Sequence, residues 1–381
     1  MMRAMRSTPS MALRAAIIGA IALAASIVGA VADPRAFFQA WLVSWLFLLG
    51  IALAAMAQVM IHELTGGAWG WLLRPPLEAA ALTLPLLGVF GIPLLLALPQ
   101  LFSWARSDAL AHDAILQAKQ WYLNQPAFIA RNVVWLVLWS ALAMALRRHL
   151  DADAETRSIH AGRRIAVAGL LVYLVSVTLA AFDWIASLTP EWYSTAIGIR
   201  WGAAQFVAAF AFAVPFAVLQ QRLRRGAIDA APHDFQDLGN LLLTFTMTWA
   251  YFAFAQYLIV WAEDLPRETS WYWPRTQTTW QYLGLTVFVL NFAVPTLAML
   301  FRPVKRNGLM LASLCLLVLA GQWLDAFWLV APSLRPGGLS VSWLDVTVLV
   351  AQGGLWMAAV AMLVQRIPVP SRIRQAVVTH G

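Results

Sequence analysis

The chain has 381 residues, of which 61% are hydrophobic and 12% charged, and its mean hydropathy is +0.70. Soluble domains carry about twice that fraction of charged residues, so water is not the main solvent of this protein. This composition excludes a disordered chain, a nucleic-acid-binding domain and an ordinary cytosolic enzyme. The single cysteine, Cys315, excludes an internal disulfide framework and a cluster held by several cysteine ligands.

Apolar runs follow one another along the chain, each long enough to cross about 30 Å of hydrocarbon as an α-helix. They are continuously apolar rather than alternating, which argues against a β-barrel. The sequence therefore predicts an all-α polytopic membrane protein of about ten transmembrane helices, forming a single integral membrane domain over residues 1–381. The predicted helices lie at about 12–32, 36–61, 77–101, 129–147, 165–187, 197–220, 238–262, 279–301, 308–329 and 342–364.

The basic residues predict the orientation of these helices. The net charge is +8, and most of the 26 Lys and Arg residues fall on one side of the predicted membrane. The positive-inside rule makes that side cytoplasmic and places both termini there. The basic residues of this side lie at 3–14, 74, 147–164, 222–225, 302–306 and 366–374.

The first segment has two interpretations. Arginines followed by an apolar run and Ala30-Val31-Ala32 also fit a cleavable signal peptide. The apolar run is long for that role, which favours a retained first helix.

Tryptophan is unevenly distributed across the predicted membrane. The chain has 20 tryptophans. Most of those in loops or at helix ends fall on the outer side, whereas Trp69 and Trp71 lie at the inner side. An aromatic belt populates both interfaces, so the excess indicates a surface for another protein. The alternative is that the outer loops fold onto the membrane interface. The residues predicted to form the partner surface are Trp121, Trp192, Trp271 and Trp273.

Two groups of polar residues at the helix ends are candidates for proton transfer, because charged groups in hydrocarbon are costly and require a partner or a purpose. On the inner side, His62, Glu63 and Glu78 could form the mouth of a proton path, or the two glutamates could simply pair with Arg74. On the outer side, three aspartates near Arg200 could form one buried cluster, serving as a proton exit or as a lock between helices. These aspartates are Asp183, Asp325 and Asp345.

The predicted interior offers little chemistry. No metal-ligand spacing, phosphate-binding loop or nucleophile motif is present in the sequence. The scattered intramembrane polar residues favour hydrogen bonds between helices. These residues are Gln205, Thr248, Gln256 and Asn291.

Several short segments of the chain are distinctive in combination. They are 62–70, 74–79, 119–124 with Arg131, 183–188, 192–195, 237–241, 255–261, 265–269, 271–272, 323–325 with Trp328, and 332–333. Together they resemble the F-subunit family of alternative complex III, which belongs to the NrfD-like, polysulfide-reductase-type membrane anchors, and the resemblance runs from about residue 40 to 350. Glu63 and Ala68, and Arg267-Glu268 in an outer loop, depart from the family pattern.

The resemblance implies two four-helix bundles, formed by helices two to five and six to nine, with helices one and ten flanking them. It also implies a redox-inert, accessory subunit of a quinol:electron-acceptor oxidoreductase in the inner membrane of a Gram-negative bacterium. Such a chain binds no cofactor itself, while partner subunits in the membrane and periplasm handle quinol, c-type haem and iron–sulfur clusters. Proton translocation through the polar residues at both ends is part of this hypothesis.

Two alternatives remain from the sequence. Prolines and glycines interrupt the third, sixth and eighth helices, as in secondary transporters, but transporters place binding groups near the midplane and the charges here lie at the ends. The other alternative is a subunit that binds quinol in its own right.

Overall fold

The computed structural model describes residues 2–151, 158–223 and 231–367, and side chains from residue 11 onward within these ranges, except residue 223. The basic residues counted above at 157, 224–225 and 372–374 lie outside the described residues. Within these ranges every regular element is helical, and ten helices are long and apolar enough to span a membrane. The predicted all-α polytopic fold is confirmed.

The ten long helices are numbered α1 to α10 in chain order. A few are interrupted but continue in the same direction. They are α1 (Met2–Ala32), α2 (Pro34–Thr65), α3 (Ala68–Ala81 and Leu84–Leu96), α4 (Gln125–Asp151), α5 (Ile159–Trp184), α6 (Ile197–Leu223), α7 (Pro232–Glu263), α8 (Trp280–Phe288, a π-turn at Val289–Ala293, and Val294–Leu300), α9 (Gly308–Leu334) and α10 (Trp343–Leu363).

Two rings of four helices form the body of the protein. Helices α2 to α5 close one ring, called the first bundle, and α6 to α9 close the other, called the second bundle. The bundles meet where α2 contacts α6 and α9, and where α6 also contacts α5. Helix α2 is therefore enclosed on almost all sides, and most of its residues are buried. This is the arrangement that the family resemblance implied.

The two bundles are arranged as repeats of one plan. Helix α2 packs against α5 of its own bundle and α9 of the other bundle. Helix α6 packs against α9 of its own bundle and α5 of the other, so α2 and α6 occupy corresponding places. Asp183 of α5 precedes Pro190, in the loop after that helix, by seven residues. Asp325 of α9 precedes Pro332 by the same spacing. The matched aspartates place a buried carboxylate at corresponding positions of the two bundles.

The long connections 97–124 and 264–279 lie at one end of the molecule, called the loop end. They contain several short helices. The loop end corresponds to the side that the sequence predicts to be outer. The other end, called the turn end, carries the tight connection between α2 and α3, where Gly66 and Gly67 have φ values of 68° and 104°.

Helices α1 and α10 pack together and cover one side of α2. Their crossing is close, since a Cβ on Gly354 would lie 2.8 Å from the Cα of Gly19. Small residues let helix backbones approach in a membrane, where van der Waals packing replaces the hydrophobic drive.

The prolines predicted to interrupt the third, sixth and eighth helices differ in their effect on the helix. Helix α3 breaks before Pro85, and the Thr83 hydroxyl at the break donates to the Ala80 carbonyl and accepts from the Trp356 indole. Helix α8 has its π-turn just before Pro295. In contrast, α6 continues through Pro215.

Candidate functional site

In the first bundle, Asp183 is fully buried and paired with Arg131 of α4. The Arg131 guanidinium donates two hydrogen bonds to the carboxylate, at 2.8 and 3.3 Å, and Asn132 donates a third at 3.4 Å. Arg131 also donates to the Tyr122 carbonyl and lies 3.8 Å from the centre of the Tyr122 ring. The bidentate contact and the aromatic face together satisfy most of this guanidinium.

Tyr122 lies outside the membrane-spanning segments, and its pKa is affected by this ion pair. Burial, and next the negative charge of Asp183, raise the pKa of the Tyr122 phenol to about 12. Both effects disfavour the phenolate.

In the second bundle, Asp325 is buried and paired with Arg200 of α6. Arg200 Nη2 donates to one carboxylate oxygen at 2.8 Å, and the Trp249 indole donates to the other at 3.3 Å. Arg200 Nη1 is buried and has no hydrogen-bond partner among the described residues. This contact is monodentate, so the pair is less saturated than its counterpart in the first bundle.

Arg275, which sequence reasoning missed, is a second buried cation at the loop end of this bundle. It donates to the carbonyls of Trp271, Trp328 and Leu329, and its guanidinium lies 3.4 Å from the centre of the Trp271 ring. Pro332 has no N–H to bond the Trp328 carbonyl, so Arg275 satisfies an acceptor that the helix cannot. Arg275 makes no ion pair with any described residue.

Asp345 at the start of α10 forms a third, separate pair. Arg335 donates two hydrogen bonds of 2.9 Å to its carboxylate and a third bond of 2.7 Å to Gln39 of α2. The same carboxylate accepts from the Ser342 backbone and caps α10. The prediction of one cluster around Arg200 is therefore wrong, because each of the three aspartates pairs with its own arginine.

At the turn end, Glu78 is the centre of an ion-pair network. It accepts from Arg74 and, at 2.8 Å, from Arg147 of α4. Glu63 lies 4.0 Å from Arg74. The network joins α2, α3 and α4, and Arg147 is a partner that the sequence did not reveal.

The imidazole of His62 is packed between two tryptophan rings and a backbone carbonyl of the turn after α2. Its Nε2 lies 3.1 Å from the Gly67 carbonyl oxygen, and Trp69 and Trp71 meet its ring edge-on. A Cβ on Gly70 would lie 1.9 Å from the ring, so only glycine leaves room for the imidazole there. This packing fixes the turn between α2 and α3.

Polar side chains in the middle of the molecule connect helices. The Tyr173 hydroxyl donates to Gln205 at 2.9 Å, and Gln322 donates to Asn291 at 2.9 Å. Gln58 donates to the Phe206 carbonyl, linking α2 to α6. The predicted role holds for Gln205 and Asn291. Gln256 instead donates to Ser194, which lies in a loop, so it does not join two helices. It is wrong for Thr248, whose hydroxyl bonds the Thr244 carbonyl within its own helix.

An apolar groove of about 310 Å³ lies between α5, α6 and α7. Gly198 and Gly202 contribute to its lining, and Phe206, Phe245 and Phe252 are its aromatic walls. The hydroxyls of its threonines bond carbonyls of their own helices, which leaves the groove without unpaired polar groups from these side chains. Such a surface suits hydrocarbon.

The four tryptophans of the predicted partner surface separate into two kinds. Trp121 and Trp273 are 81% and 65% exposed at the loop end. Trp192 and Trp271 are buried and stack with ring centres 4.9 Å apart, so placing them on the surface is wrong. The loops fold over the second bundle, where Trp271 lies against Arg275 and Trp328 and Trp192 stacks on Trp271.

Compared with known proteins, the chain matches no protein-family model and no curated protein. Among the described residues, no group of three His, Cys, Asp or Glu side chains is placed to hold a metal ion.

Proposed function

We propose that this chain is the accessory, redox-inert membrane subunit of a quinol-oxidising respiratory complex of the alternative complex III type, in a bacterial inner membrane. In this proposal the loop end faces the periplasm and the termini face the cytoplasm. Partner subunits supply the c-type haem and iron–sulfur clusters that receive electrons from quinol. The proposal rests on the sequence resemblance described above.

One structural observation carries it furthest. Trp121 and Trp273 project from the loop end, on connections whose other aromatic residues are packed into the fold. Large aromatic residues on a rigid support are typical of protein interfaces. A second protein seated on the loop end would cover them.

The positions of the charges weigh against a freestanding transporter. The ion pairs of Asp183, Asp325 and Asp345 lie at the loop end, and those of Glu63 and Glu78 lie at the turn end. Transporters usually bind their substrates near the midplane with groups from broken helices. Here the π-turn of α8 presents Asn291, which is bonded to Gln322.

The proposal includes proton movement between the two ends. Asp325 at the loop end and Glu78 at the turn end are buried carboxylates, each held by at least one arginine. Asp325→Asn and Glu78→Gln keep the shape of the side chain but cannot ionise. We expect both to lower the number of protons moved per electron in the assembled complex. Unchanged proton stoichiometry in both variants would remove this part of the proposal.

The experiment for the main proposal is purification in mild detergent from the native membrane. We expect a subunit with c-type haem and one with iron–sulfur clusters to co-purify, identified by their spectra and by mass spectrometry. Trp121→Ala with Trp273→Ala should weaken their retention. Phe301→Ala is the matched control, because Phe301 is an aromatic residue that is 64% exposed at the turn end, just after α8. Purification of the chain without any such subunit contradicts the proposal.

A second candidate, a subunit that itself binds quinol, is favoured by the apolar groove. Gly202→Leu would fill the groove, since the nearest atom to a Cβ there is the Tyr173 hydroxyl at 3.9 Å. If quinol binds there, this variant should release a bound quinone analogue. Gly353→Leu is the control, because a Cβ at Gly353 meets open space on α10. Equal binding by both variants argues against this candidate.

A further inference from the structure

A second, much smaller cavity lies where the two bundles meet. Its volume is about 20 Å³, and it is lined by residues of α2, α6 and α9. A cavity of roughly 10–15 Å³ on this measure already holds one water molecule. The residues that matter are Gly50, Gln205, Ala208, Gln322 and Asp325.

The polar groups around this cavity have bonds left to make. Gln205 is 2% exposed, and its amide nitrogen has no hydrogen-bond partner among the described residues. Its amide oxygen already accepts from Tyr173. A buried amide N–H without an acceptor is unfavourable, and buried polar groups in native proteins are nearly always satisfied by protein or by ordered water.

Asp325 has spare acceptor capacity beside the same cavity. Its carboxylate accepts one bond from Arg200 and one from Trp249, whereas a carboxylate offers about four lone-pair sites. By comparison, Asp183 already accepts three bonds, from Arg131 and Asn132. The carboxylate of the second bundle is therefore the one with room for another donor.

We infer that this cavity binds one water molecule, which accepts a hydrogen bond from the Gln205 amide and donates to the Asp325 carboxylate. Gln322, which also lines the cavity, offers an amide group as a third partner. A buried water typically makes about three hydrogen bonds, so the site provides what a water needs. The water joins α6 to α9 and, through the bond from Tyr173 to Gln205, also to α5. It is a structural link across the junction of the two bundles.

Hydroxyl-radical labelling by a brief X-ray pulse tests this inference on the full chain in detergent, because a trapped water generates radicals beside buried side chains. Leu46 is 1% exposed and lines the cavity, so it should be labelled several-fold faster than Leu87, a fully buried leucine of α3 that does not line it. Gln205→Leu should remove this excess. Gln58→Leu is the matched control, since Gln58 is a buried amide on α2 that does not line the cavity, and the excess should persist.

Ala208→Val covers the case in which Gln205→Leu does not fold. Valine fills the cavity without removing a polar group, so the labelling excess at Leu46 should again disappear. Labelling of Leu46 no faster than of Leu87 in the unmodified protein overturns the inference. So does an experimental density map that resolves ordered waters, shows this cavity empty and pairs the Gln205 amide directly with a protein acceptor.

Discussion

The two bundles hold a buried aspartate at corresponding positions, but they neutralise it differently. Asp183 faces one arginine, Arg131, which binds it through two N–H groups and is itself 21% exposed. Asp325 faces Arg200, which binds it through one N–H group and is 4% exposed, and Arg275 lies buried nearby without a carboxylate of its own. Arg131 and Asp183 balance each other, whereas Arg200 and Arg275 are two buried cations that share one buried carboxylate, Asp325.

This difference shows that a shared position does not imply a shared energetic role. An ion pair that can reach water loses little when one partner is removed, while a fully buried one leaves an uncompensated charge. The excess cation Arg275 is tolerated because helix carbonyls and the Trp271 ring surround it. The second bundle therefore depends on Asp325 more than the first depends on Asp183.

The largest expected effect is that of Asp325→Ala. It leaves both Arg200 and Arg275 buried without an anion, so we expect the free energy of unfolding to fall by about 3–5 kcal/mol. Reversible unfolding in mixed micelles measures it. A loss below about 1 kcal/mol, the range of exposed ion pairs, would contradict the dependence argued here.

Asp183→Ala should cost less, about 1–3 kcal/mol, because the exposed part of Arg131 can be hydrated and its bond to the Tyr122 carbonyl remains. The two alanine variants are compared under identical conditions. Equal losses would mean that the exposure of the arginine does not set the cost.

Arg275→Met sharpens the comparison through a double-mutant cycle with Asp325→Ala. Alone, it leaves the Trp328 and Leu329 carbonyls without their donor and should destabilise the chain. In the Asp325→Ala background it also removes an uncompensated cation, so its cost should shrink by about 0.5–3 kcal/mol. Additive effects would show that Arg275 and Asp325 do not interact.

The smallest effect is a shift in two tyrosine titrations. Burial is the main cause that raises the pKa of both Tyr122 and Tyr272 to about 12, but Asp183 adds to it at Tyr122, while Arg200 and Arg275 oppose it at Tyr272. Asp183→Asn should therefore lower the pKa of Tyr122 and leave that of Tyr272 unchanged. Ultraviolet absorbance of the phenolates, with each tyrosine replaced by phenylalanine in turn, assigns the two titrations.

The same shifts predict a loss of stability at high pH. The folded chain holds these phenolic protons more tightly than the unfolded chain does, so the stabilisation is present below the ordinary tyrosine pKa of about 10. It is lost as the pH rises from there through about 12. Tyr122→Phe should flatten part of that decline.

The sequence predicts the ten helices well because an apolar run long enough for the bilayer leaves the chain few other structures. Their ends are less predictable: α7 begins at Pro232 rather than near 238, and α9 ends at Leu334 rather than near 329. Residues 232–237 are mostly polar, so hydropathy gives no signal for the first turns of α7, whereas α9 continues through Pro332. The repeated spacing of Asp183 to Pro190 and Asp325 to Pro332 is a signal of the two matching bundles that is present in the sequence itself.

The partners of the charges could not be predicted. Arg131 is 52 residues from Asp183, and Arg200 is 125 residues from Asp325, so only helix packing decides which of them meet. Arg335 and Arg275 lie in connections between the long helices, where the sequence gives no signal of which groups they contact. The outer position of their loops predicts that Trp192 and Trp271 lie on the surface, yet the folding of these loops buries both rings.

The close crossing of Gly19 and Gly354 has a consequence for biosynthesis. During translation α1 is made before α2 to α10, and its main neighbour, α10, is made only after the eight helices between them. Until then α1 is held mainly by its shorter contact with α2, and the flank of α2 that α10 will cover still faces lipid. The packing around α2 is therefore completed late, when α10 is synthesised after the helices of both bundles.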